Sequence, residues 1–204
     1  VAAFYITSHV DWRTSYYIGG GLGLALLVLR FGTFESTMFD NVKHENVTRG
    51  NFISLFTNRD RFLKYLYCIL IGVPVWYCIG VLMKFSERFA GEWGIDTSGD
   101  NGLQIRRTAI MLSYVGLCVG DILSGYLSQV FRSRKKVVLG YLIMTIILAV
   151  LYLNIKSTSQ TLFNIMCFLL GCATGYWALF VTIASEQFGP NIRATANTTA
   201  PNFV

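Results

Sequence analysis

Charge is scarce in this sequence. Asp, Glu, Lys and Arg make up 14% of its 204 residues, where an ordinary soluble domain carries roughly 25%, and that shortfall argues against a water-soluble globule. Histidine is rarer still. His9 and His44 lie far apart and have no metal-ligand spacing to any Cys, Asp or Glu, so no metal site is expected. No Gly-x-Ser-x-Gly turn occurs, and the glycine run at 19–21 lacks the Lys-Ser or Lys-Thr that a phosphate-cradling loop needs. Accordingly no catalytic residue and no cofactor is assigned, and the chain is not expected to be an enzyme. It also lacks an initiating Met and a signal-peptide pattern, and reads as a piece of a longer protein.

What is present in quantity is apolar sequence. Hydrophobic residues reach 53% and come in long blocks, several approaching the roughly 20 residues that cross a hydrocarbon core as helix. Residues 1–10 read as the end of one span; Ser15 to Leu29, Phe62 to Met83, Thr108 to Leu127, Val137 to Ile155 and Leu162 to Ala184 read as five more. The fold class expected is all-α, a polytopic transmembrane helical bundle. Pro74 should disturb the second complete span, because proline removes a helix hydrogen bond. Glycine pairs four residues apart, Gly19 and Gly23, Gly116 and Gly120, Gly171 and Gly175, have the spacing that lets helix backbones approach closely. Cys68, Cys78, Cys118, Cys167 and Cys172 all sit inside apolar blocks and read as packing residues, not as a disulfide framework.

The longest polar stretch runs from Arg30 to Lys64. Phe52, Leu55 and Phe56 recur there at helical spacing, which fits a helix along the membrane surface as well as a solvated linker. The net charge of +6 could suggest nucleic acid, but the basic residues cluster beside apolar spans, where they set orientation instead. With helices alternating in direction, loops 30–64, 128–136 and 185–194 share one side and hold eleven of the 17 Lys and Arg. That side is expected to be cytoplasmic, so the sequons at Asn46 and Asn197 should remain unmodified. No nucleic acid is expected as a partner; the lipid bilayer is.

Three motifs carry a resemblance. Gly125-Tyr-Leu-Ser-Gln-Val-Phe-Arg-Ser-Arg134-Lys135-Lys136 resembles the loop motif that major facilitator transporters place after their second helix and repeat after the eighth. Gly125 and Arg134 fit it; Gln129 replaces its acid, and Arg132 stands where its loop glycine belongs. Arg30-Phe-Gly-Thr-Phe-Glu35-Ser36 is similar to the Pro-Glu-Ser-Pro-Arg motif of the sugar-porter branch, without its prolines and its arginine. Ser185-Glu186-Gln-Phe-Gly-Pro190-Asn-Ile-Arg193 is similar to that branch's motif after the tenth helix.

The resemblance implies an incomplete bundle. Residues 1–29 would be the end of the fifth helix and the sixth, 30–61 a cytoplasmic loop between bundles, and 62–204 helices seven to ten with the start of the eleventh. It implies a multi-pass secondary transporter of the plasma or inner membrane, moving a small polar solute, a sugar or an organic acid, by alternating access. A coupling proton is left open as a second partner. The alternative is a sensor or scaffold that keeps the transporter fold without moving anything. Glu35, Arg134, Glu186 and Arg193 would form an inward-side gate, in which unlike charges about 4 Å apart attract by roughly 4 kcal/mol at an effective dielectric near 20, before desolvation. Asp121, the acid well inside a span, is a candidate proton site or, as the favoured reading, a structural partner of Arg132 or Arg134. Because the family's cavity is lined largely by helices one, four, seven and ten, Trp76, Tyr77, Tyr176, Trp177 and Thr182 are the candidate solute contacts, with packing against neighbours or lipid as the alternative. Tyr77 and Tyr176 rank slightly above the tryptophans.

Overall fold

The computed structural model describes residues 10–31 and 50–204. The chain divides into two compact units, residues 1–47 and 48–204, a division that falls within the stretch read above as the loop 30–61. In the first unit, α1 (Trp12–Phe31) is an apolar helix with none of its described residues buried. A Cβ added at Gly19 or Gly23 would meet nothing within 4 Å there. Glu35 lies outside the described residues.

The second unit holds the other helices: α2 (Ser54–Thr57), α3 (Arg59–Tyr77) continued by a π-helical turn (Cys78–Met83), α4 (Ser86–Trp93), α5 (Asp100–Val130), α6 (Arg134–Asn154), α7 (Gln160–Ala173), α8 (Trp177–Gln187) and α9 (Pro190–Thr199). With α1, five stretches among the described residues are long and apolar enough to cross a membrane: Trp12–Phe31, Arg59–Met83, Asp100–Val130, Arg134–Asn154 and Gln160–Gln187. These are the five complete blocks read from the sequence. The stretch 84–107, left between the spans read as Phe62 to Met83 and Thr108 to Leu127, is largely helical: its first part forms α4, and α5 begins already at Asp100.

Local chemistry sets several boundaries. Asn58 accepts from the Asp60 amide at 2.9 Å and caps α3, while Asp60 in the first turn complements the helix dipole. Gly94, at φ 91°, closes α4 in the left-handed conformation that glycine adopts freely. Pro74 does not end α3. The irregularity appears one turn later, where the Cys78 amide is shared between the Pro74 and Val75 carbonyls and the π turn begins.

Two buried clusters form the interior. One gathers Leu55, Tyr65, Cys68, Val75, Tyr141, Tyr176, Phe180 and Phe188; the other gathers Leu82, Met83, Trp93, Ile105, Tyr152, Phe163 and Cys167. Leu55 is fully buried, so the short helix α2 pins the chain to the core, while Phe52, Ile53 and Phe56 stay exposed beside it. Trp93 donates its indole N–H to the Tyr152 carbonyl at 2.9 Å, which ties α4 to α6. On the outside α6 presents Leu139, Ile143, Ile146, Ile147 and Val150, all exposed, the face expected of a helix solvated by lipid tails.

The closest packing is between α5 and α7. A Cβ added at Gly116 would fall on the Phe168 carbonyl oxygen and within 2.9 Å of the Cys172 nitrogen; one at Gly171 would lie 2.7 Å from the Ser113 Cα. At Gly120 it would fall on the Cys172 carbonyl oxygen and 2.9 Å from the Gly175 Cα. The second and third glycine pairs therefore interlock across one seam, and backbone-to-backbone contact there is possible because none of the four carries a side chain.

Candidate functional site

The fifth span is discontinuous. Leu162 to Ala184 reads as one unbroken helix in sequence, but α7 stops at Ala173 and α8 starts at Trp177. A break inside a membrane strands backbone polar groups that lipid cannot solvate, so neighbouring groups must satisfy them. They do. Thr145 on α6 donates to the Ala173 carbonyl at 2.9 Å, and Thr174 turns its hydroxyl back to the Gly171 carbonyl at 2.9 Å. At the new N-terminus, Asp121 of α5 accepts from the Ala178 amide at 3.2 Å. It supplies from another helix the side-chain oxygen that an N-cap residue normally supplies from within.

That geometry places Asp121 differently from the favoured reading. Its carboxylate faces the start of α8, and among the described residues it forms no ion pair with Arg132 or Arg134. Nothing in local sequence pointed to α8, because Asp121 and Ala178 are brought together only by the glycine seam. Tyr141 donates to the Gly120 carbonyl at 3.0 Å beside it.

Fifty-two residues separate Arg134 and Glu186, yet their side chains meet in a hydrogen-bonded ion pair. Arg134 opens α6 and Glu186 lies in the last turn of α8. The pair is partly exposed, with 41% and 54% of the two side-chain surfaces accessible, so its net worth is on the order of 1 kcal/mol or less. Beside it is a cavity of about 610 Å³ lined by Gln129, Arg132, Arg134, Lys135, Glu186 and Gln187, among others. Arg193 is not joined to this pair; its Nε donates to the Phe188 carbonyl at 3.4 Å and closes the turn that leaves α8.

Arg132, in the turn between α5 and α6, has φ 47°, the sole positive φ among the described non-glycine residues. The sequence marks this position as the one where the resembled motif carries glycine, and the backbone conformation explains why.

The aromatic candidates divide. Trp76 on α3 and Trp177 on α8 meet edge to face with centroids 5.9 Å apart; Trp177 also packs on Phe180 at 5.0 Å. Trp76 and Tyr77 are 44% and 45% exposed. Tyr176 is fully buried, and its hydroxyl donates to the Ile71 carbonyl at 2.8 Å, so in this conformation it braces α3 against the break and offers nothing to a solute. Thr182 donates to the Ala178 carbonyl at 2.7 Å within its own helix. Among the described residues no group of three or more His, Cys, Asp or Glu has an arrangement that could hold a metal ion.

A family model described as Major Facilitator Superfamily matches residues 1–200 of this chain. No curated protein and no solved structure matches it.

Proposed function

This chain belongs to the major facilitator superfamily, a family of membrane transporters that act on small-molecule solutes, and we propose that it moves a small polar solute, a sugar or an organic acid, by alternating access. The observation that carries this reading is the Arg134–Glu186 pair. It joins the ends of two membrane-crossing helices, at a strength that holds a closed state without freezing it. A buried pair would be costly to separate; a partly exposed one exchanges its partner for water at little net cost and so can re-form or release as the inner face rearranges.

In this reading residues 62–204 are the C-terminal bundle, 30–61 is the cytoplasmic loop that precedes it, and 1–29 belongs to the fifth and sixth helices. Arg134 and Glu186 latch the inner face, and Arg193, bonded to the Phe188 carbonyl, holds the turn that follows α8. Trp76, Tyr77, Trp177 and Thr182 flank the solute path near the break in the fifth span, and Tyr176 positions them through its bond to Ile71. Rings with an apolar face and a polar edge can stack on a sugar while donating a hydrogen bond. Asp121 holds the inner half of the broken span at its N-terminus.

The test is uptake of labelled sugars and organic acids into proteoliposomes containing the full-length protein, with and without a pH gradient. Saturable uptake of a member of either class supports the reading, and stimulation by an inward proton gradient adds the coupling ion. No uptake of either class, from a protein shown to be folded and inserted, overturns it in favour of a sensor or scaffold.

A further inference from the structure

A groove of about 300 Å³ opens at the basic end of the second unit, between α3, α6 and α8. Its rim is polar: Lys64 near the start of α3, Lys135 near the start of α6 and Gln187 at the end of α8. From there it deepens along an apolar wall that includes Cys68 and Ile71 on one side and Leu139 and Leu142 on the other. Seven helical residues separate Lys64 from Ile71, and the same number separates Lys135 from Leu142, so the wall runs roughly 10 Å inward from each lysine. Two cations at the mouth and a hydrocarbon-lined trough behind them match a molecule with an anionic head and an apolar tail.

The cations are available. Among the described residues the ion pairs are Arg106–Glu87 and Arg134–Glu186, so Glu186, next in sequence to the rim residue Gln187, is already engaged by Arg134. Neither Lys64 nor Lys135 has an ion-pair partner there, although Asp60 lies one turn before Lys64. Residues 188–204 do not fill the groove. They pack on a neighbouring face of α3, where Tyr65 donates to Thr199 at 2.7 Å and Val204 lies against Gly72.

We propose that this groove is a binding site for an anionic phospholipid of the leaflet that faces the basic loops, with its phosphate between Lys64 and Lys135 and an acyl chain along Ile71, Leu139 and Leu142. Basic recesses between membrane helices on the cytoplasmic side are suited to acidic headgroups, and the apolar wall distinguishes a lipid from a free anion. The inference goes beyond the transport reading. It requires that the helices cross a membrane, but not that any particular solute is carried.

The experiment is native mass spectrometry of the full-length protein in dodecyl maltoside, titrated with phosphatidylglycerol or phosphatidylcholine of equal chain length. The wild type should retain phosphatidylglycerol about 25-fold more strongly, because each lysine near an anionic headgroup contributes about a factor of five. Lys64→Gln combined with Lys135→Gln should erase that preference, and Leu139→Trp, which fills an exposed part of the groove, should lower retention with both lysines in place. Lys136→Gln, adjacent in sequence but outside the groove, should leave the preference intact. Equal retention of the two lipids by the wild type, an undiminished preference in the double variant, or an equal loss in Lys136→Gln would each overturn the assignment. So would displacement of the lipid by inorganic phosphate, since the apolar wall would then contribute nothing. Because retention is read without solute or gradient, a protein that fails to transport can still pass, and an active transporter can still fail.

Discussion

Arg134 and Glu186 each occupy a helix end that repels them: a cation at the positive N-terminus of α6, an anion at the negative C-terminus of α8. Crossing the two helix ends turns both penalties into attractions, because each charge lies beside the other helix's complementary pole. Glu186→Lys or Arg134→Glu should each lower the uptake rate about tenfold, equivalent to about 1.4 kcal/mol, and the double swap should recover most of it. Recovery in the swap separates a direct pair from two independent contributions. At Arg132, φ 47° costs an L-residue about 1 kcal/mol or more, so Arg132→Gly should raise the melting temperature measured in detergent. The motif placed glycine there from sequence alone, and the dihedral supplies the cause. Outside the spans, Asp96 accepts from the Ser98 hydroxyl at 2.7 Å and its amide at 3.0 Å, and these bonds, the hydroxyl first, hold its carboxyl below the usual aspartate range. With the folded-state value depressed, this loop's contribution is complete above the unfolded value near 4 and is lost as pH falls through the folded one. Ser98 amide protection should therefore decline on acidification below about pH 4, and Asp96→Asn should remove that dependence.

At the scale of elements, the seam between α5 and α7 is the part most legible in sequence. Two glycine pairs at four-residue spacing announce close backbone contact, and they interlock with each other. Gly116→Ala or Gly171→Ala should destabilise by about 1–3 kcal/mol, as overpacking does. Gly125→Ala, where an added Cβ meets nothing within 4 Å, should be neutral or stabilising by up to about 1 kcal/mol through helix propensity. Thermal unfolding of the three variants side by side checks this. The break between α7 and α8 was not legible. Hydrophobicity runs through Thr174, Gly175 and Tyr176 without a proline or a charge, and the groups that satisfy the break, Thr145 and Asp121, come from other helices. Pro74 misleads in the opposite sense, since the irregularity it causes surfaces at Cys78. Asp121→Ala should cost about 1 kcal/mol, the loss of one cap, and Asp121→Asn, which keeps an acceptor, distinctly less.

For the molecule as a whole, apolar block length reported the spans, and the bias of Lys and Arg gives an expected topology. Cysteines introduced at 132–136 in full-length protein should react with an impermeant maleimide from the cytoplasmic side alone; labelling from outside in intact cells would reverse the assignment of every loop. Tertiary pairing was less accessible, because a chain that meets lipid on one face and protein on the other is apolar on both. The same ambiguity hid from the sequence that Tyr176, a candidate solute contact, is buried and bonded to the Ile71 carbonyl in this conformation. The discontinuity in the fifth span also has a mechanical meaning. α7 is gripped by α5 through glycine, whereas α8 is capped by Asp121 and packed through Leu179, Phe180, Ile183 and Ala184, so a hinge at Gly175 would put Glu186 at the end of an arm roughly 16 Å long. A tilt of α8 by about 10° would swing that tip by roughly 3 Å on that arm, enough to unlatch it from Arg134 while α7 stays still.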